Sequence, residues 1–190
     1  SSLKGLDAKK GLDAKIGYPL PLNRGDFDFE NKQCIQDYIE AFEREIADYH
    51  NRKYALMTTN CTSALHLLLD GLGIGEGDEV IAPECTWIGS VACITYQRAK
   101  TVFADIDPIN WCLTADSIEA AISPKTKAFI VFDLYGNMPD YDAIKKVCDK
   151  HNILMIEDSA ESLGSIYKGV KAGKFGVGSV FSFHRTNTIT

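Results

Sequence analysis

Short, unbroken apolar runs alternate with amphipathic segments through most of this chain, and that alternation is what most narrows its fold. Glu79-Val80-Ile81-Ala82 reads as a strand, as do residues 101–106, 127–132, 153–157 and 178–183. Between them lie segments of helical character at about 88–96, 116–122 and 141–151. Continuous Val/Ile/Phe strands separated by helices predict an α/β fold, a mostly parallel sheet sandwiched by helices, with both faces buried. Sites in such sheets gather beyond the carboxyl ends of the strands. Upstream, Ile35, Tyr38, Ile39, Phe42, Ile46 and Tyr49 follow helical spacing, with Glu43, Arg44 and Glu45 on the wet face. Tyr54-Ala55-Leu56-Met57 reads as a buried strand. A second amphipathic helix carries Leu65, Leu67, Leu68 and Leu69 and is closed by Gly71, Gly73, Gly75 and Gly77.

Bulk properties exclude several classes. A length of 190 residues, 45% hydrophobic and 24% charged, suits one ordinary globular domain with a sizeable core. A net charge of -6, with no Lys/Arg cluster, argues against nucleic acid as a partner. Runs such as Ala128-Phe129-Ile130-Val131-Phe132 are too short for a membrane span. The polar N-terminus lacks the apolar stretch of a secretory signal. The six cysteines form no CxxC pair, which points to free thiols and a cytoplasmic protein, with no metal site expected. A direct duplication, residues 4–9 repeated at 10–15, reads as an exposed arm.

Three strand-end segments carry candidate chemistry. Asn60-Cys61-Thr62-Ser63-Ala64-Leu65-His66 opens a helix, and hydroxyls with free N–H groups there suit an anion, although N-capping by Thr62 or Ser63 explains them equally well. Ile156-Glu157-Asp158-Ser159-Ala160-Glu161 ends a hydrophobic strand in adjacent carboxylates. Facing a pyridine nitrogen, Asp158 would keep that nitrogen protonated; an N-cap for the next turn is its plainer role, and Glu157 faces solvent or a structural partner. In Val180-Phe181-Ser182-Phe183-His184, strand alternation points Ser182 and His184 the same way, with Ser182 a candidate phosphate donor or an ordinary satisfied serine. Trp87, just past a strand, could stack on an aromatic ring or serve as packing.

In combination these segments resemble the DegT/StrS sugar aminotransferase family, which has the aspartate-aminotransferase-like fold. The resemblance rests on NCTSALHLLLDGLGIGEGDEVIAP, TWIGSVACI, AKTVFADIDP, SPKTKAFIVFDLYGNMPD, IEDSAESLGSIYKG and GKFGVGSVFSFH, across about 54–190. Within the family the text is most similar to the perosamine-synthase type, which aminates 4-keto-6-deoxy nucleotide sugars for cell-surface polysaccharide. The resemblance implies pyridoxal 5'-phosphate (PLP) as cofactor, glutamate as amino donor and a homodimer whose sites borrow partner residues. It assigns the phosphate to Cys61, Thr62, Ser63 and Ser182, the ring faces to Trp87 and Ala160, the ring nitrogen to Asp158, and the ring hydroxyl's surroundings to Glu161. Tyr135 would lie near the sugar. It divides the chain into an arm over 1–30 and an incomplete large PLP-binding domain over 31–190, with a C-terminal small domain absent.

One position departs from the family's pattern SFHxxK: Asn187 stands where the Schiff-base lysine belongs. A lysine amine bonds the cofactor and moves the proton, and an amide can do neither. Relatives with histidine there are sugar dehydratases. The resemblance therefore leaves three readings: an aminotransferase inactive as it stands, a non-catalytic protein holding PLP or its pyridoxamine form (PMP) without a covalent bond or pairing with an active partner, and a PLP-dependent sugar 3-dehydratase.

Overall fold

Helix α1 (Lys32–Tyr49) opens the part of the chain that the computed structural model describes, residues 32–187. The duplication and the arm expected over 1–30 lie outside those residues. The chain divides into two units, one ending at Met57 and one beginning at Thr58. In the first, α1 buries Ala41 and Ala47, and the Glu43 carboxylate accepts the Met57 N–H at 2.7 Å. Residues 54–57 are not the buried strand that their composition suggests. They join no ladder among the described residues, and Tyr54 and Leu56 stand 77% and 67% exposed. Apolar content alone cannot make a strand without a neighbour to take its backbone hydrogen bonds.

The second unit is the α/β layer. Its sheet has the order β2-β1-β3-β4-β7, every neighbour parallel: β1 (Glu79–Pro83), β2 (Lys100–Ala104), β3 (Thr126–Phe132), β4 (Leu154–Asp158) and β7 (Gly178–Val180). Alternation sends Val80, Ala82, Ala128, Ile130, Ile156 and Val180 into one core, under α2 (Cys61–Gly71) and α3 (Ile88–Tyr96). Ile81, Phe129, Val131 and Met155 enter the other, under α4 (Ala115–Ala121) and α5 (Tyr141–His151). This is the three-layer arrangement that the alternating runs predict. Among the described residues no helix is long and apolar enough to cross a membrane.

Register brings the strand tips level, since Pro83 lies opposite Ala104, Phe132 opposite Asp158 and Asp158 opposite Val180. Strand β7 is shorter than expected. It stops at Val180, whose carbonyl accepts the Ser159 N–H at 2.9 Å; beyond it residues 181–187 form coil and a turn. The alternation argument for Ser182 and His184 therefore fails, because no ladder extends to them.

Two features had weak signals in the sequence. A hairpin of β5 (Ile166–Tyr167) and β6 (Val170–Lys171) turns at Lys168 and Gly169, with φ of 47° and 83°, the double left-handed geometry of a two-residue type I′ turn. Glu157, left between solvent and a structural partner, proves wholly buried. Its carboxylate accepts the N–H groups of Gly173 (2.8 Å), Phe175 (2.7 Å) and Gly176 (2.5 Å), which fixes the loop leading into β7.

That loop passes so close to β4 that a Cβ on Gly176 would sit 2.4 Å from the Met155 carbonyl oxygen. Gly176→Ala is expected to destabilise the fold by about 2 kcal/mol through forced backbone displacement. Gly71, at the end of α2 with open space around it, is the control: Gly71→Ala should stabilise by about 0.5 kcal/mol. Urea denaturation of the two variants measures both.

Candidate active site

At the tip of β4 the chain buries a carboxylate, Asp158, to 2% exposure. Parallel pairing places it opposite Phe132 and Val180, and alternation turns it toward α2 and α3. Ser90 of α3 donates its hydroxyl to Oδ2 at 2.6 Å. The Ala160 N–H donates to Oδ1 at 3.2 Å, and the Cys61 thiol reaches Oδ1 at 3.9 Å. Burial pushes the Asp158 carboxyl up to about 6, against the downward pull of Ser90 and the Ala160 amide. It therefore remains ionised at neutral pH. Burial, with the Asp158 charge behind it, pushes the Cys61 thiol well above its usual range, so it is a protonated neighbour and not a nucleophile.

The start of α2 lies beside this carboxylate. Neither Thr62 nor Ser63 is the N-cap: Asn60 is, its Oδ1 accepting the Ser63 N–H at 2.8 Å. That leaves the side chains of Thr62 and Ser63 free of the capping role, with Thr59 donating to Ser63 Oγ at 3.4 Å. The N–H groups of Cys61 and Thr62 belong to the first turn, where no carbonyl within the helix can accept them.

Gly89 joins this corner to Trp87. A Cβ there would lie 2.5 Å from Thr62 Oγ1, 2.9 Å from Trp87 Cδ1 and 3.1 Å from Trp87 Nε1, so the missing side chain lets the threonine and the indole approach one backbone position. Trp87 is 71% exposed, so it is not packing material. Next to it, the Thr86 hydroxyl is buried with no hydrogen-bond partner among the described residues.

The remaining expected residues are less tightly gathered. Glu161 accepts the Tyr135 N–H at 2.6 Å, joining the turn after β4 to that after β3. Tyr135 holds φ 55° and is 73% exposed, its ring 6.2 Å from that of Trp111. Ser182 lies two residues beyond Val180 and accepts the His184 N–H at 3.3 Å. Asn187 sits in the terminal turn, its N–H donating to the His184 carbonyl at 2.8 Å. Ser90, Asn60, Gly89 and Asp133 were not singled out from the sequence. Of these only Asn60 carried a visible signal, an Asx residue directly before a helix.

Comparison with known proteins gives this arrangement a lineage. The sequence profile of the DegT/DnrJ/EryC1/StrS aminotransferase family matches residues 30–190. GDP-perosamine synthase of Caulobacter vibrioides is 45% identical over 153 residues, which are 80% of this chain and 41% of that protein. The chain thus spans about two-fifths of the curated relatives that it matches. Among solved structures, a protein of Streptococcus pneumoniae assigned as a sugar aminotransferase superposes with a TM-score of 0.77 at 33% identity, over 80% of this chain and 43% of that one in its PLP form; a PMP form is also known. A mutant GDP-4-keto-6-deoxymannose-3-dehydratase holding GDP-perosamine has a TM-score of 0.77 at 27% identity, over 87% of this chain and 46% of that one.

Asp158 and Glu157 are raised by burial, to about 6 and about 7, so the unfolded chain ionises both first. Their effect on stability is most favourable below the unfolded carboxylate range and is lost as pH rises through 6 and then 7. Asp158→Asn should remove the Asp158 share of that loss, about 2 kcal/mol between pH 4 and pH 7. Urea midpoints for both proteins across that range give the difference directly.

Proposed function

The chain belongs to the DegT/DnrJ/EryC1/StrS aminotransferase family, and on that premise we propose that it forms the cofactor-holding part of a PLP-dependent aminotransferase of nucleotide-linked 4-keto-6-deoxy sugars. The carrying observation is Asp158: an ionised carboxylate, desolvated at a strand tip and oriented by Ser90 and the Ala160 amide. The residues around it suit a phosphorylated pyridine. The Gly89 close approach, the exposed indole of Trp87 and the Thr86 hydroxyl, without a partner among the described residues, support that reading. The first-turn N–H groups of α2, with Thr62 and Ser63, suit a dianion.

Bound PLP supplies an electron sink for the carbon from which a proton is removed. Asp158 would hold a proton on the ring nitrogen, and Ser90 would keep the carboxylate aimed. Trp87 would cover one ring face and Ala160 the other. Cys61 and Thr62 N–H groups, the hydroxyls of Thr62 and Ser63, and Ser182 would hold the phosphate. Glu161 would lie near the ring hydroxyl and Tyr135 near the sugar. The substrate class follows the GDP-perosamine synthases among the relatives; glutamate as donor and a homodimer complete the reading.

Asn187 favours a second reading for the chain as it stands. A carboxamide neither attacks an aldehyde nor carries a proton at neutral pH. This chain would then hold PLP or PMP reversibly, without catalysis at position 187.

Fluorescence titration with PLP should show one saturable site whose ligand is lost on dialysis and is not fixed by borohydride. Asp158→Ala should weaken binding by at least about tenfold, as expected for loss of a charged hydrogen bond. Asn187→Lys should make part of the bound cofactor resistant to dialysis after reduction. No binding at millimolar PLP, or an unchanged affinity in Asp158→Ala, would reject the site.

A further inference from the structure

One buried carboxyl near this site is not among the residues expected to touch a cofactor. Asp133, the residue after β3, is wholly buried. Tyr141 donates its hydroxyl to Oδ1 at 2.7 Å. Ser159 and Ser162 donate theirs to Oδ2 at 3.0 and 2.7 Å. The Asp133 N–H donates to the Asp158 carbonyl at 3.1 Å. Burying a carboxylate is unfavourable, and an apolar side chain would usually pack there at less expense. What the carboxylate adds is direction: both its oxygens take hydroxyls from separate segments.

Those bonds form part of a closed circuit. Ser159 and Ser162 flank Ala160 and Glu161. Glu161 in turn accepts the Tyr135 N–H, two residues after Asp133, and Ser165 donates to the Gly136 carbonyl at 3.0 Å. Tyr135 holds a left-handed backbone, φ 55°, which is strained for an aromatic residue and persists only where neighbours impose it. The turns after β3 and β4 are thus tied to each other at both ends.

We propose that Asp133 is a positioning residue: its carboxylate joins the turn after β4 to the turn after β3, so that Asp158, Ala160 and Tyr135 face the ligand as one rigid group. The assignment to a ligand rests on the cofactor reading above, while the mechanical coupling does not. Burial raises the Asp133 carboxyl and the three hydroxyls oppose that rise. The groups facing it are Tyr141 from α5, Ser159 and Ser162 from the turn after β4, the carboxyls of Glu157 and Asp158 from β4, and the Cys112 thiol.

The test uses the full chain with Asp133→Asn, Asp133→Ala and Ser162→Ala. Hydrogen exchange is followed without cofactor in peptides covering 133–138 and 158–166, with 79–83 as a reference. Asp133→Ala should speed exchange in both turns together by about tenfold or more, as for loss of a buried acceptor shared by several donors, and leave 79–83 unchanged. Asp133→Asn should restore most of the protection, and Ser162→Ala should loosen both turns by less. PLP affinity should fall about tenfold in Asp133→Ala, and the circular dichroism of each bound cofactor should drop with it. Loosening of 133–138 alone, or unchanged affinity and dichroism, overturns the proposal. If Asp133→Ala does not fold, Ser162→Ala and Asp133→Asn decide by the same two readouts. A wild-type chain that takes up no PLP would sink the cofactor reading and the ligand-facing half of this one, and the exchange arm would still decide the coupling.

Discussion

Parallel strands that end level leave their last side chains at a common edge, and one of those here is a carboxylate turned away from solvent. Asp158 is 2% exposed and pushed up to about 6. It stays charged at neutral pH because Ser90 and the Ala160 amide supply what solvent no longer can. Each of those donors comes from a different element, one from the helix above the sheet and one from the turn that follows the strand. The charge thus depends on β4, α3 and the 158–162 turn being in place together.

Close approach, not chemistry alone, decides what stands next to that charge. Gly89 brings Thr62 and Trp87 to one point on α3, where any side chain would collide with both. Asn60 takes over the capping of α2 and so frees two hydroxyls from the structural duty that first accounted for them. The site is assembled by removing obligations as much as by adding groups: a cap moved back to Asn60, a Cβ omitted, a hydroxyl at Thr86 left without a partner among the described residues.

Much of this was legible in the sequence. The order of strands and helices follows from continuous apolar runs, because strands buried on both faces need no polar alternation. The strand-end position of Asp158, and of Trp87 beyond β1, follows from the same runs. What was not legible depends on partners distant in sequence. Residues 54–57 have the composition of a strand and no ladder among the described residues. The β7 run loses its ladder at Val180, although Phe181 and Phe183 continue the apolar pattern. Ser90 looks like any helical serine until α3 is laid across the tip of β4, 68 residues away in sequence. Asp133 looks like a turn residue until three hydroxyls converge on it.

Asp133, Glu157 and Asp158 are all buried, on two neighbouring strand tips, and their donors separate their roles. Glu157 receives backbone N–H groups at both oxygens, all at 2.8 Å or less. Asp133 receives hydroxyls at both oxygens. Neither offers a ligand a strong open acceptor, and removing either would release a loop. Asp158 differs. Oδ2 has a short bond from Ser90, but Oδ1 has only a 3.2 Å amide and a thiol at 3.9 Å. Compared with the three hydroxyls at Asp133, the donors to Asp158 Oδ1 among the described residues stand farther off. Its neighbours at the mouth are an exposed indole and the start of a helix. A cationic N–H approaching from that side would meet Oδ1, and it is on this that the proposed ring-nitrogen role for Asp158 rests.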